Sequence, residues 1–197
     1  MSRSDLWEAE IETIVSASEG DREAFGRLYE RYVFRVYRHI HFLTNDAKLA
    51  EDLTAETFLN ALEGILRYEV RGVPFLAWLF RIAYNLTISQ MKAQNRRNGH
   101  AQLTDGVEAK RTSHSPEESC EAKVDGEQVW GEVRKLRGDQ RRVIMMRFID
   151  GLSYSDIARV LDKSVGATRV IQYRALASLR RILEDNLAHD YLESRAG

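Results

Sequence analysis

The sequence holds a single cysteine, Cys120, so no intrachain disulfide and no paired-cysteine metal or redox motif is available. It has only two prolines among 197 residues, and no alternating apolar run bounded by hairpin turns. Strands are therefore not expected, and the reading is an all-α protein. No run approaches the roughly 18 uninterrupted apolar residues of a membrane span, so no membrane insertion is expected. The opening M-S-R-S-D-L-W-E-A-E lacks the apolar centre of a signal peptide, which makes a cytoplasmic location the expectation. Net charge is also nearly missing: a formal −1 announces no global basic field. Any affinity for nucleic acid must then come from charge segregated along the chain. Catalytic signatures are lacking too. His39 and His41 stand two apart, off a shared helix face, and no phosphate loop, nucleophile or metal-ligand spacing occurs, so neither an enzyme nor a cofactor is expected.

What is present is helical periodicity in two blocks. Residues 5–18 suit a short leading helix with Leu6, Ile11, Ile14 and Val15. Asp21 can cap a second helix, along which Phe25, Leu28, Tyr29, Tyr32, Val33, Val36 and Ile40 recur at helical spacing. Thr44-Asn45-Asp46 breaks it. A third helix, 47–66, carries a stripe of Ala50, Leu53, Thr57 and Ala61, with Asp52, Glu56 and Asn60 on another side. Those acids form either a solvated face or a docking face for a basic partner. Arg67 to Pro74 reads as a loop, and Pro74 suits the first turn of the next helix. That helix, 75–97, has Leu79, Ile82, Ala83 and Leu86 for a core. Trp78, Arg81, Asn85, Lys92 and Arg96 recur on one side. A ring with cations along the same side suits a nucleic-acid strand, while core packing of Trp78 is the plain alternative.

From 99 to 126 the composition turns to Gly, Ser, Thr and acids, with almost no large apolar residue, as in a flexible linker. The expected organisation is a helical domain over 1–98, this linker, a second helical domain over 127–185, and a fraying tail over 186–197. In the second domain Asp139 is a candidate cap for a helix from Gln140. Ser153-Tyr154-Ser155-Asp156 has the form of a capping box. A short helix to Leu161, a break at 162–164 and a longer helix capped by Ser164 then follow the helix-turn-helix plan.

The longer helix sorts into faces at about 100° per residue. Thr168, Ile171, Ala175, Leu179 and Ile182 share the core side. Gly166, Arg169, Val170, Tyr173 and Arg180 lie opposite, with Gln172 and Arg174 at the flanks. Between Lys163 and Leu183 there are five cations and no acid, the segregation that the net charge hides. Arg can bond guanine bidentately and Gln adenine, while Tyr can meet a phosphate or a thymine methyl.

With these motifs on the page, the chain resembles an extracytoplasmic-function (ECF) sigma factor of the bacterial sigma-70 family over nearly its whole length. D-R-E-A-F-G-R-L-Y-E-R-Y, A-E-D-L-T-A-E-T-F-L-N-A and F-L-A-W-L-F-R-I-A-Y-N-L resemble sigma region 2. L-R-G-D-Q-R-R-V-I-M-M-R-F-I-D-G-L-S-Y-S-D-I-A and S-V-G-A-T-R-V-I-Q-Y-R-A-L-A-S-L-R resemble region 4. The resemblance implies core RNA polymerase as partner, through its β′ clamp and β flap, with promoter DNA and an anti-sigma factor as further partners. It implies polymerase contact at Asp52, Glu56, Thr57 and Phe58. It implies −10 element contact and base capture at Trp78, Arg81, Asn85, Lys92, Arg96 and Arg97. Contact with the −35 element falls to Lys163, Ser164, Gly166, Arg169, Val170, Gln172, Tyr173 and Arg174. The implied function is transcription initiation with promoter melting in a stress or envelope response. Two departures stand out. Leu136-Arg137 replaces a frequent Leu-Pro, and Asp162 occupies a turn position often held by Gly, where an Asp can still adopt the left-handed conformation at some cost. An ordinary DNA-binding regulator would leave the acidic helix and the Trp78 helix without a role, and a sigma mimic would need no reading helix.

Overall fold

The computed structural model describes residues 3–70, 73–97 and 124–194. Among them every regular element is helical and no strand occurs. The chain has two compact units, and its helices fall into two blocks, residues 3–97 and from Val124 onward. No helix of the described residues is long and apolar enough to cross a membrane.

The first unit comprises α1 (Arg3–Ser18), α2 (Arg22–Thr44), α3 (Ala47–Gly64), a 3₁₀ turn (Ile65–Arg67) and α4 (Phe75–Arg97). Its boundaries follow local chemistry. The Asp21 carboxylate accepts from the backbone N–H groups of Glu23 (2.8 Å) and Ala24 (3.1 Å), which starts α2. Asn45 ends it in the left-handed conformation, φ 53°, its N–H bonded to the His41 carbonyl. Asp46 then caps α3 by accepting from Leu49 N–H at 3.0 Å. α2 buries Leu28, Tyr32, Val36 and Ile40, an i, i+4 column. α1, α3 and α4 all pack against α2, with Leu53, Ala61, Ile65, Phe75, Leu79, Phe80 and Ala83 filling the space between. Each large apolar side chain so buried contributes about 1.5–3 kcal/mol. Buried threonines cost little here. Thr54, Thr57 and Thr87 each donate to the carbonyl four residues back, at 2.6–2.7 Å, so no hydroxyl is stranded.

A polar tie joins α1 to α2. The Tyr32 hydroxyl donates to buried Glu10, and Arg31 pairs with the same carboxylate at 3.4 Å. Burial first, then the bond to Glu10 and its charge, raise the Tyr32 ionisation above its ordinary 10.0. A raised value in the fold means stability present below pH 10.0 and lost as pH climbs beyond it.

The second unit comprises α5 (Val124–Lys135), α6 (Gly138–Ile144) continuing into a π-helical turn (Met145–Ile149), α7 (Tyr154–Leu161) and α8 (Val165–Ser194). Its core holds Val133, Leu136, Val143, Ile144, Met146, Leu152, Ile157 and Ala175. Arg141 is buried with them. Its guanidinium donates to the Arg134 carbonyl at 3.3 Å, and burial, with the charges of Arg142 and Arg134, pushes its ionisation down to about 10.

Three boundaries differ from expectation. α5 begins at Val124, before the anticipated end of the linker at 126, and residues 99–123 lie outside the described residues. α6 begins at Gly138 with Arg137 as its cap residue, so Asp139 sits inside the first turn instead of capping it. There it pairs with Arg142 (2.8 Å) and Lys163 (2.9 Å). α8 runs on to Ser194, taking most of the expected tail into a helix. Within the loop read from Arg67 to Pro74, Arg71 and Gly72 lie outside the described residues.

Candidate functional sites

On α3 the expected stripe is buried: Ala50, Leu53, Thr57 and Ala61 all face inward. This corrects two of the four residues assigned to polymerase contact. Thr57 is fully buried and bonded to the Leu53 carbonyl at 2.6 Å. Phe58 is 5% exposed and meets the Tyr29 ring edge-to-face at 4.8 Å. Both are core residues that hold α3 on α2. Asp52 and Glu56 are exposed, as expected. The same outer arc carries Leu59, Leu62 and, in the 3₁₀ turn, Leu66, which are 56%, 45% and 63% exposed, too open to belong to the core. Sequence reasoning passed over these leucines. Their signal was there, in apolar residues spaced three and four apart but out of phase with the buried stripe. The arc is thus a row of leucines among carboxylates, with Glu63 completing it.

The loop after α3 closes over an aromatic cluster. The Tyr68 ring lies 4.9 Å from Trp78 and 5.5 Å from Phe75, and its hydroxyl donates to the Val73 carbonyl at 3.2 Å. Phe75 and Trp78 stand 5.3 Å apart. Gly64 makes room for the indole, since a Cβ there would lie 3.2 Å from Trp78. Trp78 is half-buried by this packing, so it serves the core and still presents part of its ring. Arg81, Asn85, Lys92 and Arg96 are all exposed along α4, within an arc of about 60° that includes Trp78. The side chain of Arg97 lies outside the described residues.

In the second unit the two helices of the pair are set by their caps. Ser153 Oγ accepts from Asp156 N–H (3.2 Å) and donates to the Asp156 carboxylate (2.5 Å) at the start of α7. Asp162 takes φ 55°, in the left-handed region, and Lys163 N–H closes the turn on the Ala158 carbonyl at 2.9 Å. Ser164 Oγ then accepts from Ala167 N–H at 3.1 Å and opens α8.

Along α8, Thr168 and Ala175 are buried, while Gly166, Arg169, Val170, Tyr173 and Arg174 are exposed. Tyr173 is 76% exposed and Val170 47%, high for such side chains in a helix packed on its other side. Gln172 is a correction. It is 9% exposed and turned to the core, so it does not stand beside the outward residues. Lys163 is exposed, and its ammonium pairs with Asp139 at 2.9 Å. Arg169 lies over the Tyr154 ring, 5.3 Å from its centroid. Among the described residues no group of His, Cys, Asp and Glu is arranged to hold a metal ion.

The second unit is thus a helix-turn-helix with a cationic outer face, and the first a helical unit with an acidic, leucine-bearing face. Family models match both units. Residues 28–97 match sigma-70 region 2 and residues 127–179 match sigma-70 region 4. The chain is 38% identical over 178 residues to the ECF RNA polymerase sigma factor BldN of Streptomyces coelicolor, covering 89% of this chain and 66% of that one. It is 30% identical over 177 residues to the ECF RNA polymerase sigma factor ShbA of Streptomyces griseus, covering 85% and 92%. Among solved structures it resembles the sigma factor RpoE of Bartonella quintana, crystallised with the anti-sigma factor NepR. The TM-score is 0.68 at 25% identity, over 81% of this chain and 96% of that one. The chain belongs to the ECF sigma factors of the sigma-70 family.

Proposed function

We propose that this chain binds core RNA polymerase, directs it to promoters by their −35 and −10 elements, and helps open the −10 element, in an inducible stress or envelope response. The observation that carries this reading is the pairing of two unlike outer faces on one chain. The α3 arc suits a protein partner: leucines supply apolar area, and Asp52 and Glu56 select a basic counterpart. We assign it to the β′ clamp. The α8 face suits duplex DNA, with Arg169, Val170 and Tyr173 toward base edges and Arg174 toward phosphate. Ser164 and Gly166, at the start of α8, suit close approach to the backbone there. A pocket with Leu136 and Ile182 in its lining and Lys135, Arg137 and Arg181 around it suits the β flap.

For opening, the α4 face offers part of the Trp78 ring and a row of cations. Extruding a base costs a few kcal/mol of stacking, which a ring and a phosphate-binding row can offset. An anti-sigma factor is the natural partner to cover the α3 or α8 face when transcription is off. The test is reconstitution with core polymerase. A stable complex that initiates from a selected subset of a promoter library supports the reading, and no complex at low salt sinks it.

A further inference from the structure

Arg169 is the fifth residue of α8 and stands on its outer face. A long exposed arginine has many rotamers, and ordering it on binding costs entropy. Here it is not left to solvent. Its guanidinium carbon lies 5.3 Å from the centroid of the Tyr154 ring, within the range of a cation–π contact. Among the described residues Arg169 makes no ion pair, so the ring is the contact that orients it. Tyr154 is itself well fixed. It is the first residue of α7, directly after Ser153, whose hydroxyl bonds Asp156 and Ser155. The same ring has a second cation over it, Arg147 at 4.9 Å. Arg147 also donates to the Leu152 carbonyl at 2.9 Å, which anchors it from the π-helical turn. The half-buried ring is therefore fixed by a capped helix start and by contact with an anchored arginine.

We propose that Tyr154 is a positioning residue for promoter recognition: its ring pre-orients the Arg169 guanidinium for the major groove, through the face of the ring and not through its hydroxyl. The proposal rests on the reading of α8 as the −35 helix. It requires that the energetic effect of Tyr154 pass through Arg169.

The experiment uses the full chain, alone and assembled with core polymerase on duplexes that vary at the −35 element. In the free protein, NMR should find the Arg169 δ-methylene protons shifted upfield by the ring, with the shift retained in Tyr154→Phe and lost in Tyr154→Leu. No such shift in the unsubstituted chain overturns the proposal whatever the DNA result. In the holoenzyme, Tyr154→Leu should weaken −35-dependent binding roughly two- to fivefold, the scale of an exposed cation–π contact. Tyr154→Phe should bind like the unsubstituted chain, and Tyr154→Leu should add nothing in an Arg169→Ala background. Additive losses overturn the positioning role. Equal weakening by Phe and Leu assigns the effect to the hydroxyl and overturns it as well. If Arg169→Ala leaves base preference unchanged while the NMR shift is present, it is Arg169 as base reader that fails, and the two failures are told apart. Should Tyr154→Leu not fold, Tyr154→Met takes its place in the cycle with Arg169→Ala, and additive losses there overturn the positioning role in the same way.

Discussion

The outer faces of α3 and α8 are both helical surfaces with a complete apolar stripe behind them, yet they differ in what they expose. α3 shows carboxylates interleaved with Leu59, Leu62 and Leu66. α8 shows Arg169, Arg174, Arg180 and Arg181 with Val170 and Tyr173. A protein interface needs apolar area at its centre, whereas a phosphate backbone rewards cations and leaves little use for leucine. The near-zero net charge of the chain averages these two specialised surfaces with the rest of its 29 basic and 30 acidic residues. That explains why the whole-chain value says so little about partners.

The largest effect expected separates fold from face within α3 itself. Phe58 is packed edge-to-face on Tyr29, so Phe58→Ala should cost about 3–5 kcal/mol of stability, read as a lowered thermal midpoint. An unchanged midpoint would return Phe58 to the surface and to the list of contact residues. Next comes the face. Asp52→Lys with Glu56→Lys should leave the midpoint nearly unmoved, since both side chains are exposed, while weakening the polymerase complex by on the order of 3 kcal/mol, about a hundredfold. Undiminished affinity would make that arc an ordinary solvated surface and dissolve the contrast with α8.

Smaller again is the effect on base choice. Arg169→Ala should cost about 1–3 kcal/mol at the preferred −35 sequence and relax preference there, measured by holoenzyme binding to a −35 library. A uniform loss across all sequences would make Arg169 a phosphate contact.

How much of this was legible beforehand depends on the kind of signal. Helix starts were readable because caps are chemically explicit: Asp21, Asp46, Ser153 and Ser164 each accept the backbone bond that their residue type suggests. Faces were readable wherever side-chain polarity and helical phase agreed, as for Arg169 and Tyr173. Where they disagreed, polarity misled. Gln172 lies about 40° from Thr168 around α8, well inside the core arc, yet its amide suggested an outward reader. Thr57 sat in the apolar stripe by phase, and only resemblance moved it to the surface; its hydroxyl is satisfied by its own helix. The exposed leucines escaped notice for the converse reason, since an apolar residue reads as core unless its phase is checked. Asp139 was read at the start of α6, slightly out of register, but its tie to Lys163 was not legible, because it joins residues that only the fold brings together.

That tie yields the smallest effect and the finest test of the cationic face. A cation that neutralises a phosphate on binding adds about one to the slope of log affinity against log salt. Arg174, exposed and without an ion pair among the described residues, should give up that full unit in Arg174→Ala. Lys163 is already paired with Asp139 at 2.9 Å, so it neutralises phosphate less fully and displaces less of the counterion condensed on DNA, and Lys163→Ala should change the slope by a clearly smaller amount. Asp139→Asn should then raise affinity for duplex of any sequence, because it removes a carboxylate that pairs with Lys163 near the groove-facing turn. If Lys163→Ala and Arg174→Ala shift the slope equally, and Asp139→Asn does nothing, Lys163 leaves Asp139 for a phosphate when DNA arrives. The Asp139 contact would then belong to the free protein alone, and the cationic face would extend from α8 back into the turn before it.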